Sequence, residues 1–229
     1  MLNEQLKSIW TECFDPKSQV LAPLYFDDII SGGVACVGMN PSFDERTINR
    51  FLREFRPNKN SNARQLFSWT GPDQDISSLC IEEQMYAKRT IQYYQFHREI
   101  FESSNLPWYQ LDLYRYRASK QLEMDEVCKA NPHFSKKSLE LFNDALRIYQ
   151  PKAILVLNAA VVRKFESTYE CKYDEDHGHH WVRISYRWVP AVFSGQIVRS
   201  MATPNRTLFS WYCKQFLARL ENGDFTPPE

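Results

Sequence analysis

Four short apolar runs punctuate the chain, and each gives way at once to polar residues. They are GVACVGMN (Gly33 to Asn40), WYQLDLY (Trp108 to Tyr114), KAILVLN (Lys152 to Asn158) and WVPAVFSG (Trp188 to Gly195). The unbroken AILVL has the pattern of a strand buried on both faces of a parallel sheet. Between the runs the period changes. Glu82 to Ser103 places Met85, Ile91, Tyr94 and Phe101 near helical spacing, and Ser138 to Tyr149 does so with Leu139, Phe142, Leu146 and Tyr149. Both stretches predict amphipathic helices. Asn3 to Phe14 reads as an opening helix and Pro204 to Leu220 as a closing one.

This alternation predicts a single α/β domain over residues 1–229, a three-layer α/β/α sandwich around a mostly parallel four-stranded sheet. Ligands of such sheets bind beyond the carboxyl ends of the strands. Asn40, Asp112, Asn158 and the Ser194-Gly195-Gln196 corner are therefore expected on one rim. DEDHGHH (Asp174 to His180) crowds imidazoles and carboxylates, yet adjacent His179 and His180 rarely point the same way and no further ligand set is identifiable. It reads instead as a loop or as a hairpin leading into WVRISYRWVP, whose alternation suggests an extra edge strand. No metal and no other cofactor is expected.

Composition narrows the partners. Lys plus Arg equals Asp plus Glu at 28 each, so no global basic field holds a polyanion and any nucleic-acid contact must come from local patches. Two patches stand out: Arg46, Arg50, Arg53, Arg56, Lys59 and Arg64 after the first strand, and Arg115, Arg117 and Lys120 interleaved with Tyr114 and Tyr116. Such interleaving suits flipped or single-stranded nucleotides, whereas a solvated helix face also explains the first patch. The six cysteines are widely spaced without a CxxC pair and read as free thiols. No stretch is apolar enough for a signal peptide or a membrane span, so a cytoplasmic location is expected; a monomer is expected as well.

The first run passes into Gly38-Met39-Asn40-Pro41, and this resembles the first signature of the mismatch-specific branch of the uracil-DNA glycosylase superfamily. Strand count, spacing and this first signature together extend the resemblance over roughly Val34 to Phe216. The resemblance implies hydrolysis of the N-glycosidic bond of a flipped base in DNA. Asn40 would then orient the attacking water, since an amide is too weak a base to take its proton. Asp112 resembles the strand-end residue that reads the base edge; a carboxylate only accepts, which suits an exocyclic amino group or an N3–H. The second signature falls on Ser194, Gly195 and Gln196, with Arg199 beyond, where hydrogen-bond donors would meet the negative charge of the departing base. The family's His-Pro-Ser loop is here Ser-Gly-Gln, without an imidazole.

Gly38, Met39, Pro41, Phe43 and Asn158 complete the candidate substrate contacts, and Arg115, Arg117, Lys120 and Arg206 the contacts to the DNA backbone. Plainer readings stand beside these. Asn40 and Pro41 also fit an Asx-type turn, Phe43 fits core packing, and Asp112 fits a buried pair with Arg115 or Arg117. A catalytically inactive nucleic-acid- or nucleotide-binding protein of the same fold is the alternative function, and a nucleoside hydrolase a third.

Overall fold

The computed structural model describes residues 1–27, 31–56, 62–118, 120–195 and 203–228. In chain order its elements are α1 (Leu2–Cys13), β1 (Val34–Gly38), α2 (Glu45–Phe55), α3 (Ala63–Leu66), α4 (Ser77–Thr90), α5 (Gln95–Phe101), β2 (Trp108–Asp112) and α6 (Gln121–Ala130). There follow α7 (Pro132–Tyr149), β3 (Ala153–Val156), α8 (Ala159–Thr168), β4 (Cys171–Asp174), β5 (His179–Ile184), β6 (Arg187–Phe193) and α9 (Thr203–Asn222). The chain divides into two compact units. The first comprises Met1–Asp28, Asn40–Ile91 and Asp112–Asp144, the second Ile29–Met39, Gln92–Leu111 and Ala145–Glu229.

The second unit carries the sheet, with strand order β2-β1-β3-β6-β5-β4. All four strands expected from the apolar runs are present as β1, β2, β3 and β6, but the sheet has six strands and is mixed. β1 pairs parallel with β3 and β3 with β6, whereas β5 runs antiparallel to both β6 and β4. The hairpin alternative for DEDHGHH holds, with Gly178 in the left-handed region (φ +70°) and its N–H bonded to the Asp174 carbonyl at 2.8 Å. β5 lies inside the sheet, and the partly exposed β4 forms the edge opposite β2. β4 escaped the sequence pattern because an edge strand with two wet positions shows no apolar alternation.

Every residue of β1 and β3 is buried, as the unbroken runs require. Alternate residues Val34, Cys36, Ala153, Leu155 and Val192 join Phe96, Ile100 and Phe101 of α5 and Cys213, Phe216 and Leu217 of α9 in one core. Phe193 of β6 meets Phe165 of α8, with ring centroids 6.1 Å apart. Gly33 is required at the start of β1: a Cβ there would lie 2.7 Å from the Pro107 carbonyl, which accepts a hydrogen bond from the Val34 N–H at 2.8 Å.

The first unit is helical. Trp10 and Phe14 of the α1 region pack with Tyr116 and with Phe134 of α7. The α7 start is set locally by Asn131, whose side chain accepts from the Phe134 N–H at 2.9 Å with Pro132 in the first helical position. The single helix expected over Glu82 to Ser103 is instead two helices. α4 ends at Ile91, where the backbone becomes extended (ψ 139°), and the chain there passes from the first unit to the second. The apolar spacing does not register this break, and it also misplaces the inner face of α4: Met85 is 48% exposed, whereas Cys80, Glu83, Gln84, Tyr86 and Ala87 are buried.

Candidate functional site

The carboxyl ends of three strands finish in step. Val37 is opposite Val156, and Val156 is opposite Phe193. Gly38, Leu157 and Ser194 therefore leave the sheet side by side, and the Ser194 N–H adds one more bond to the Val156 carbonyl at 2.9 Å. Gly38 is buried at the end of β1, Met39 is 4% exposed, Ser194 is half-buried and Gly195 is exposed. A Cβ at Gly195 would meet nothing within 4 Å. Gln196 and Arg199 lie outside the described residues.

Asn158 has a structural task at this edge. Its side-chain oxygen accepts from the N–H groups of Ala160 and Val161 at 2.9 and 3.3 Å, capping α8. That oxygen is committed to the helix, which corrects the expectation of Asn158 as a free substrate contact; an N-cap asparagine was a local signal available in the sequence.

In the first unit, Asn40 donates from Nδ2 to the carbonyls of Ala118 (2.9 Å) and Pro41 (3.2 Å). Both acceptors are carbonyl oxygens, so the amide has one possible orientation. Oδ1 has no hydrogen-bond partner among the described residues. The Ala118 N–H in turn donates to the Pro41 carbonyl at 3.2 Å. Pro41 is buried. The loop after β1 is thus stapled to residue 118, with one acceptor atom of the staple unused.

Three expectations for this unit are corrected by burial. Phe43 is 5% exposed and packs edge to face on Phe67, so it offers no open ring face. Arg115, 3% exposed, donates to the carbonyls of Leu24 and Tyr25 at 2.6 Å each. Arg117, also 3% exposed, forms an ion pair with Glu83 at 2.9 Å and lies over the ring of Phe67. Guanidinium groups held in this way do not reach a phosphate backbone. Sequence reasoning missed Glu83 because its partner is distant in the chain and its own surroundings, EEQMYAK, read as an ordinary amphipathic helix.

Asp112 ends β2 and is 3% exposed. Lys120 is exposed immediately before α6. Arg206 of α9 in the second unit pairs with Glu99 at 3.2 Å. Exposed cations in the first unit also come from α2, where Arg46, Arg50 and Arg53 face solvent opposite buried Ile48, Phe51 and Leu52. Lys59 lies outside the described residues.

An imidazole that sequence reasoning left in the hairpin belongs near the end of β6. His180 stacks on Phe193, the residue before Ser194, at 4.5 Å and 25°. Burial lowers its pKa from 6.5, against the opposing pull of Glu166, so the ring is neutral near pH 7. His179 faces the other side of the sheet among Trp181 and Phe216. An open cavity of about 550 Å³, lined in part by Arg98, Glu102 and Trp108, lies away from the strand ends, beside the start of β2.

Among the described residues, no group of three or more His, Cys, Asp or Glu is arranged to hold a metal ion, and no helix is long and apolar enough to cross a membrane. All six cysteines are free thiols. No protein-family model matches the chain, and no curated protein matches it in sequence.

Proposed function

We propose that the protein is a DNA glycosylase-like hydrolase of the uracil-DNA glycosylase type, built as a three-layer α/β/α sandwich, that cleaves the N-glycosidic bond of a flipped base. The observation that carries this reading is the Asn40 carboxamide. Its Nδ2 is pinned by two main-chain carbonyls, which leaves Oδ1 as a fixed acceptor able to orient a water without taking its proton. Asn40 follows the Gly38-Met39 strand end, the arrangement on which the resemblance rests. The donors of Ser194, Gly195 and Gln196, with Arg199, stabilise the departing base as negative charge develops on it, and the resemblance alone assigns the base edge to Asp112, which is 3% exposed. The exposed row Arg46, Arg50 and Arg53, with Lys120, takes over the backbone contacts that buried Arg115 and Arg117 do not make.

Release of free base from oligonucleotides containing uracil, hypoxanthine, mismatched thymine or alkylated adenine tests the reading. Asn40→Ala is expected to abolish release while the fold persists; unchanged release would refute it. If uracil proves the sole good substrate, the role given to the Asp112 carboxylate fails.

The Ser194-Gly195-Gln196 corner, which lacks the imidazole of the family's His-Pro-Ser loop, favours a second reading, a nucleic-acid- or nucleotide-binding protein of the same fold without hydrolase activity. Salt-sensitive binding of an oligonucleotide without any abasic product selects it.

A further inference from the structure

The segment that follows α9 is held against the sheet by one ring. Gly223 takes the left-handed conformation (φ +77°), and the Asp224 N–H bonds back to the Arg219 carbonyl at 3.0 Å. The chain reverses there as at many glycine-ended helices. This reversal brings Phe225 among His179, Phe216 and Trp181, with ring centroids 4.9, 5.1 and 6.0 Å away. Arg219 covers the assembly, its guanidinium 4.6 Å from the Phe225 ring centre and its Nη2 bonded to the Asp224 carbonyl at 3.2 Å.

His179 sits at the centre of this cage. It is 1% exposed, and among the described residues neither ring nitrogen has a partner within hydrogen-bond distance. A neutral imidazole carries a proton on one nitrogen, so the closed arrangement buries an unsatisfied donor. The Asp174 Oδ2 lies 3.8 Å from His179 Nε2, beyond hydrogen-bond reach. That carboxylate is instead engaged by His177 Nδ1, 3.0 Å from Oδ1, and by Trp181 Nε1, 3.4 Å from Oδ2. The charged and titratable groups around His179 are thus Asp174 at the end of β4, His177 in the turn, and Arg219 on α9. Tyr212 of α9 donates to the Gly178 carbonyl at 2.7 Å.

We propose that Gly223–Pro228 is an acid-released strap: neutral His179 keeps Phe225 docked, and protonated His179 expels that ring and turns toward Asp174. The charge balance supports the direction. Burial pushes the His179 imidazole down to about 4 from 6.5; Asp174 and the His177 backbone oppose this, while the charges of Arg219 and His177 reinforce it. An imidazole that regains its ordinary value on opening shifts the open-to-closed ratio by roughly thirtyfold between pH 7.5 and pH 5. Opening bares Trp181 of β5 and Phe216 of α9. The strap is independent of the reaction proposed above.

Hydrogen exchange of the full chain, corrected for intrinsic rate and read at residues 223–228 against β1 and β3, tests the strap. The wild type is expected to lose protection there by roughly thirtyfold from pH 7.5 to pH 5, before the central strands respond. His177→Gln keeps this response and His179→Gln loses it. Phe225→Ala, outside the sheet and helices, leaves the segment open at both pH values. An undiminished acid response in His179→Gln, or a segment still protected in Phe225→Ala, overturns the proposal.

Discussion

Asn40 and Ala118, 78 residues apart in sequence, are joined by a 2.9 Å hydrogen bond from the Asn40 side chain to the Ala118 carbonyl. The bond needs a donor at position 40. Asn40→Asp would set a carboxylate against two carbonyl oxygens and is expected to lower stability by about 1–3 kcal/mol, more than Asn40→Ala. Urea denaturation of the two variants checks the order; equal losses would show that the amide does not act as the donor.

Arg117 and Glu83 form a pair whose side chains are 1% and 8% exposed. Removing one charge strands the other in the interior, so Glu83→Gln is expected to cost about 3–5 kcal/mol, and Arg117→Met combined with Glu83→Leu considerably less. A double-mutant cycle by chemical denaturation measures the coupling. If Arg117 acted on DNA, the double variant would instead keep full stability and flatten the salt dependence of binding.

Burial pushes the imidazole of His97, stacked on Trp108, and that of His179 down to about 4 from 6.5. Folding then favours the neutral rings. Their contribution is complete above about pH 6.5 and is lost progressively as the pH falls toward 4. Urea midpoints taken across this window should decline, and His97→Phe, which keeps a ring against Trp108, should make the decline shallower. A midpoint independent of pH in the wild type would contradict the burial of both imidazoles in neutral form.

Asn158 caps α8, and serine is an equally competent cap. Asn158→Ala is expected to cost about 1 kcal/mol and Asn158→Ser only a fraction of that. Thermal denaturation separates the two. Should both variants keep wild-type stability while ligand binding falls, Asn158 serves a ligand and not the helix.

The positions of β1, β2, β3 and β6 are legible in the residues alone; for β1, β3 and β6 an apolar run bounded by Gly, Asn or Ser encodes burial and termination locally, whereas β2 stops at Asp112, two residues short of the expected end at Tyr114. Periodicity likewise located α1, α9 and the part of α7 from Ser138 to Tyr149, but not its start at Pro132; the Asn131-Pro132 and Asn158 caps are local signals of the kind that mark such starts. The fate of the charges depended on the folded chain. In YRYRASK, Arg115 and Arg117 look the same as surface cations; what buries them is Glu83 on α4 and the carbonyls of Leu24 and Tyr25, all far away in the chain. Phe43 is withdrawn from solvent by Phe67 in the same way, and β4 exists because β5 offers it a ladder. Periodicity reports which face of an element is apolar, whereas hydrogen bonds and ion pairs depend on which distant groups the folded chain brings within reach.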